Sequence, residues 1–110
     1  MIEETILKYL NNNLSVPVFL ERDKKSVEFV LIEKTSSSKR NHVTDATFVF
    51  QSYAPSLYQA AKLNEEVKSV VEKMIEIDEI SSIRLNSDYN FTDTQTKNYR
   101  YQAVFDINYY

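Results

Sequence analysis

The side chains best suited to acid, base or metal chemistry are few in this sequence, and they are scattered. Its one histidine, His42, lies between Asn41 and Val43 at the end of a stretch, Thr35 to His42, that holds no apolar residue. A general base needs a partner to orient it and surroundings that tune its pKa. Neither is visible around His42, which reads as an exposed loop residue. Cysteine is absent, so disulfides and thiolate zinc ligation are excluded, and one imidazole with carboxylates makes a poor zinc set. Asp78 and Glu79 are adjacent at the end of a helical pattern and read as a solvated turn. Asp88, Asn90, Asp93 and Thr94 form the one oxygen-rich cluster. It lacks the glycine and the closing glutamate of a calcium loop, which makes turn chemistry the better reading. Glycine is absent altogether. A phosphate loop or dinucleotide fingerprint, which needs glycine so that backbone can approach phosphate, is therefore excluded. Left-handed turn positions must fall to residues such as Asn and Asp. Catalytic residues, a cofactor site and a metal site are not expected.

Surface recognition is the chemistry that remains. Lys34, Lys39, Arg40 and His42 bracket three serines, a positive tip on an acidic chain that suits a negatively charged partner surface. A solvated loop that keeps a long hairpin soluble is the competing reading. Asp93, Thr94 and Lys97, in a connecting loop from Thr92 to Asn98, complete the candidate partner-binding residues. Tyr99, Tyr101, Tyr109 and Tyr110 crowd the last strand pattern, where the first three fit a core face. A base-stacking sheet would need cations among its aromatics, and Arg100 is the one cation on that strand. Thirteen Lys and Arg against sixteen Asp and Glu, a net charge of −3, supply no field that would gather nucleic acid.

The elements that must position these residues follow from periodicity. Ile2, Ile6, Leu7 and Leu10 predict a first helix, ended by Asn11-Asn12-Asn13 through a left-handed asparagine cap. Val16 to Leu20 reads as a short strand, and Pro17, which cannot donate to a ladder, points to a sheet edge or a strand start. Val27 to Lys34 is strand-like and nearly continuous in apolar residues, Thr35 to His42 an exposed and mobile loop, and Val43 to about Tyr53 the return strand. Leu57, Ala60, Ala61, Leu63, Val67, Val70, Val71, Met74 and Ile75 trace a long helix from about Pro55 to Ile77, with Ser56 and Gln59 as a capping box and Ser52 as an alternative, earlier start that puts Pro55 in the first turn. Ile83, Leu85, Tyr89 and Phe91 alternate with polar residues on a fourth strand, and Tyr99 to Tyr109 alternates on a fifth. The expectation is one domain over residues 1–110, an α+β two-layer sandwich with a mostly antiparallel sheet covered by two helices in the order α-β-β-β-α-β-β. At 110 residues and 43% apolar content one core suffices. The acidic start, Met1-Ile2-Glu3-Glu4, is unlike a signal peptide, and no apolar run is long enough for a membrane span.

That order of elements resembles the tail-terminator family of long-tailed bacteriophages, the minor tail protein U-like proteins. The stretches that carry the likeness are VPVFLER (16–22), VEFVLIEKTSSSKRNHVTDATFVFQSYA (27–54), SLYQAAKLNEEV (56–67) and LNSDYNFTDTQTKNYRYQAVFDINYY (85–110). Together they are similar to small head-tail region proteins of phages and prophages of Gram-positive hosts. The resemblance implies a non-enzymatic structural protein without cofactors. It implies a hexameric ring of identical subunits that caps the tail tube, stops its polymerisation and provides the head-joining surface. Its implied partners are further copies of itself, the tail tube protein and the head-tail connector protein, with no membrane and no sequence-specific nucleic acid. Its implied location is the host cytoplasm during assembly and the head-proximal end of the tail in the virion. A head-tail connector or stopper, or a small binding module, is the alternative.

Overall fold

In the computed structural model, which describes residues 1–22, 26–96 and 98–110, Ile2, Ile6 and Leu10 form the buried stripe of helix α1 (Ile2–Asn13). The three asparagines do not end it in the left-handed conformation expected of them. They lie inside the last turn, and the chain leaves through Leu14 in extended geometry. Asn13 Nδ2 donates back to the Tyr9 carbonyl at 2.7 Å. Asn11 does more: its Oδ1 accepts from Val18 N at 3.1 Å and its Nδ2 donates to Val18 O at 3.3 Å. One side-chain amide thus imitates a neighbouring strand.

Val18 belongs to the two-residue strand β1 (Val18–Phe19), an edge strand as expected and parallel to β2 (Phe29–Arg40). Antiparallel pairing then runs from β2 to β3 (Val43–Tyr53), from β3 to β5 (Arg100–Tyr109) and from β5 to β4 (Ile80–Asn90), giving the sheet order β1-β2-β3-β5-β4. Between β3 and β4 stand helix α2 (Leu57–Lys73) and a 3-10 turn, Met74–Glu76. Ser56 caps α2 as its type predicts, its Oγ accepting from Gln59 N at 3.2 Å. The fold is the expected α+β arrangement, with the two helices and a mostly antiparallel sheet in the expected order.

Alternation places Ala46, Phe48 and Phe50 of β3 beside Ile107, Phe105 and Ala103 of β5 on one face. Ile2, Ile6 and Leu10 of α1 and Leu63, Val67 and Val71 of α2 cover that face, and together these residues make the core. At its centre the Phe50 and Phe105 rings meet edge-on at 5.8 Å, a geometry that favours the ring quadrupoles.

Two further sequence expectations fail for identifiable reasons. Thr35 to Arg40 is not a loop: Ser36, Ser37, Ser38, Lys39 and Arg40 pair in register with Thr47, Ala46, Asp45, Thr44 and Val43. The ladder is made by backbone groups, so a stretch without apolar residues can still be strand. The turn shrinks to Asn41 and His42, both at positive φ (50° and 69°), as the commonest two-residue hairpin turn requires. In β4, the pairing register shifts between Leu85 and Ser87. That bulge turns Asp88 to the helix side and Tyr89 to the other, so Ile83 and Leu85 do not share a face with Tyr89 and Phe91.

Candidate interaction surface

The predicted partner-binding residues separate into two groups at opposite ends of the sheet. Lys39, Arg40 and His42 lie at the tip of the β2–β3 hairpin, all exposed. Asp93 and Thr94 lie in the β4–β5 connection, beyond the end of β3 marked by Tyr53, which pairs with Arg100. Some ten ladder positions intervene, roughly 33 Å at strand rise. Lys97 lies outside the described residues. Lys34 is not part of the tip: its Nζ pairs with Glu3 of α1 at 3.3 Å on the helix side. The basic residues therefore do not form one patch.

The oxygen-rich cluster also divides. Asp88 Oδ2 accepts from Lys68 Nζ at 2.8 Å and from Asn64 Nδ2 at 3.0 Å, joining β4 to α2. The Lys68 hydrogen bond leads the causes that hold the Asp88 carboxyl below the usual aspartate range, and the same pair, with Glu65, raises Lys68. Asp93 instead closes its own turn, Oδ1 accepting from Gln95 N at 3.0 Å. Hydrogen bonds from Thr96 and Gln95 lower its pKa. Asn90 Oδ1 likewise accepts from Thr92 N at 3.0 Å. Turn chemistry accounts for Asn90 and Asp93, and an interlayer ion pair for Asp88. Among the described residues no three or more His, Cys, Asp or Glu side chains converge as metal ligands.

Sequence reasoning missed a small second core on the face away from the helices. Tyr53 and Phe29 stack there at 4.6 Å, and Phe19 approaches Phe29 at 6.0 Å. The Arg22 and Arg100 guanidinium carbons lie 5.3 and 5.4 Å from the Tyr53 ring centre, and Arg100 lies 4.4 Å from that of Phe91. Arg100 Nη1 donates to Tyr53 Oη at 2.8 Å, and Tyr53 Oη donates to Gln51 Oε1 at 3.0 Å. Arg100 is thus a hub that fastens the β4–β5 connection to the end of the sheet. Its alternation with Tyr99 and Tyr101 marks the face it occupies, but its partners come from β3 and from the segment after β4, which spacing along β5 cannot reveal.

Nearer the hairpin tip the same face forms a shallow trough of about 510 Å³, bounded by Ser36, Ser38, Thr47, Arg84 and Asp106 among others. Asp106 is engaged within it, accepting from Thr47 Oγ1 at 3.0 Å and from Asn86 Nδ2 at 3.1 Å. The groups that remain available lie along the outer strands. On β4 and just beyond it, Leu85, Tyr89 and Phe91 are each exposed by about two-fifths or more. β2 has no strand beside it past Leu31 among the described residues. The arrangement suits contact between surfaces better than the enclosure of a small molecule. No protein-family model matches this chain, and no curated protein is significantly similar to it.

Proposed function

We propose that this is a phage tail-assembly protein of the tail-terminator type, a non-enzymatic homo-oligomer that closes as a ring on the tail tube. There it stops tube polymerisation and offers the surface that meets the head-tail connector. It acts in the host cytoplasm during assembly and stays at the head-proximal end of the tail. The observation that carries this reading is architectural. The chain folds in the order α-β-β-β-α-β-β, the order on which the family resemblance rests, as one five-stranded sheet with both helices on one face. The exposed groups along β4 and the open stretch of β2 support it, since they offer surface for contact with other subunits.

The test is a tail-assembly reaction, or an infection, with this protein withheld. Overlong tail tubes seen by electron microscopy, restored to normal length by adding the purified protein, are the expected result. Tails of normal length that fail to join heads would replace the reading with a connector. Wild-type tails that join heads normally would end it.

A further inference from the structure

The stretch of β2 past Leu31, beyond its pairing with β1, and the edge strand β4 are complementary to each other in direction and in charge. β2 is antiparallel to β3, β3 to β5 and β5 to β4, so β2 and β4 run in opposite directions. A second copy placed beside the first in the same orientation brings its β2 edge against the first copy's β4 edge as an antiparallel pair. Both edges are open there: β2 past Leu31 and the outer side of β4 carry no neighbouring strand among the described residues.

The registers across the sheet fix which residues stand level. Following each row through β3 and β5 puts Lys39 level with Ile80, Ser38 with Ser82, and Ser36 with Arg84. A copy added with no shift along the strands would set Lys39 and Arg40 against Asp78 and Glu79 of the next, just before β4. The Glu79 carbonyl accepts from Tyr110 N at 2.9 Å, which continues the ladder to that point. All four side chains are exposed, and none has an ion-pair partner among the described residues. A second opposite pair, Glu33 and Arg84, shares the helix-free face two ladder steps apart, within reach of a diagonal cross-strand contact. The serines at positions 36–38, 82 and 87 keep both edges low, which lets the backbones approach.

We infer that copies of this chain join edge to edge, the Ser36–Arg40 arm of β2 in one copy adding to β4 of the next, with Lys39 and Arg40 against Asp78 and Glu79. The partner is a second copy of this chain. The contact is heterologous, so repeating it produces a ring when the rotation closes. Unpaired edge groups supply the hydrogen bonds, and the charges set register and direction. The inference rests on the proposed self-assembly and adds where and how the copies touch.

The absence of cysteine from the chain makes a disulfide trap clean. Level residues on paired antiparallel strands have Cα atoms about 4.5–5.5 Å apart, inside the disulfide range. Positions 38 and 82 of one chain are separated by three strand spacings, roughly 14 Å, and cannot bridge. Full-length Ser38→Cys and Ser82→Cys proteins, mixed at high concentration under mild oxidation, should give a disulfide-linked dimer. Neither should do so alone, and the protein carrying both changes should give a ladder of linked multimers. Lys39→Glu with Arg40→Glu should weaken association measured by sedimentation roughly tenfold or more at low salt, and Asp78→Lys with Glu79→Lys added to it should restore association. Wild-type oligomers whose single-cysteine variants cross-link to themselves, or that ignore the charge reversal, would overturn the edge pairing and leave self-assembly standing. A wild-type protein that stays monomeric at high concentration and on tail tubes would overturn the self-assembly reading as well.

Discussion

Replacing Asp88 by alanine should destabilise the fold by about 2–3 kcal/mol, and the reason lies in a residue other than Asp88. Asn64 is 1% exposed, its Oδ1 has no hydrogen-bond partner, and its Nδ2 donates to Asp88 Oδ2 at 3.0 Å. Removing the carboxylate leaves both ends of a buried amide unpaired, which costs about 1–3 kcal/mol. The Lys68 ion pair adds at most about 1 kcal/mol, being partly exposed. Lys68 also keeps Glu65 at 2.8 Å. For a domain of this size the loss corresponds to a fall in Tm of roughly 10–15 °C. Asn64→Leu removes the amide instead, and should be neutral to within about 1 kcal/mol. In the Asn64→Leu background, Asp88→Ala should then cost only about 1 kcal/mol, the ion-pair part. Urea and thermal denaturation followed by circular dichroism measure all four proteins. Because the Asp88 carboxyl is held below its ordinary value chiefly by Lys68, its ionic contribution is complete above the unfolded-state value near pH 3.9 and fades as pH falls through the lower folded value. The gap between wild type and Asp88→Asn should therefore narrow in acid. An Asp88→Ala cost below about 0.5 kcal/mol, or costs that simply add, would refute the reasoning.

Three further outcomes follow from the same structure. Arg100→Ala should cost about 2 kcal/mol, because it removes hydrogen bonds to Tyr53 and to the Phe91 carbonyl together with two aromatic contacts; equilibrium unfolding checks this. Phe105→Ala, at the buried centre of the core, should cost about 3–5 kcal/mol by the same assay. His42→Gly should stabilise the hairpin by about 0.5–1 kcal/mol, since His42 sits at φ 69°, where glycine avoids the side-chain penalty and gives part of the gain back as unfolded-state entropy; a rise in Tm is the readout.

Much of the fold was legible because apolar periodicity reports burial. The stripe of α2, the Ser56 cap and the alternation of β5 were all visible in the order of residues. What periodicity cannot report is pairing made by backbone alone, so the Ser36–Arg40 arm passed for a loop. Nor does it report a single inserted residue: the bulge after Leu85 reverses the facing of Tyr89 and Phe91 with no change in composition. The asparagines after Leu10 looked like a cap because their type suits left-handed geometry, yet they stay helical, and Asn11 and Asn13 turn their side chains to backbone partners. The candidate surface residues were exposed as expected at the hairpin tip. Their separation from Asp93 and Thr94 depended on strand order, which only the assembled sheet defines.

The pairing of β3 with β5 at the middle of the sheet has a consequence for how the chain is made. The β2–β3 and β4–β5 hairpins join near neighbours in sequence and can form early, whereas the central seam unites residues in the forties and fifties with residues past 100. Such distant closure is slow. During synthesis, β3 emerges with Phe48 and Phe50 and then waits, one side of its backbone unpaired, while α2 and β4 are still being translated. The nascent chain therefore passes through a stage with an apolar open edge, when chaperone engagement or premature aggregation is most favoured. Completion of β5 ends that stage in one step, because the strand that closes the seam also supplies Ala103, Phe105 and Ile107 to the core.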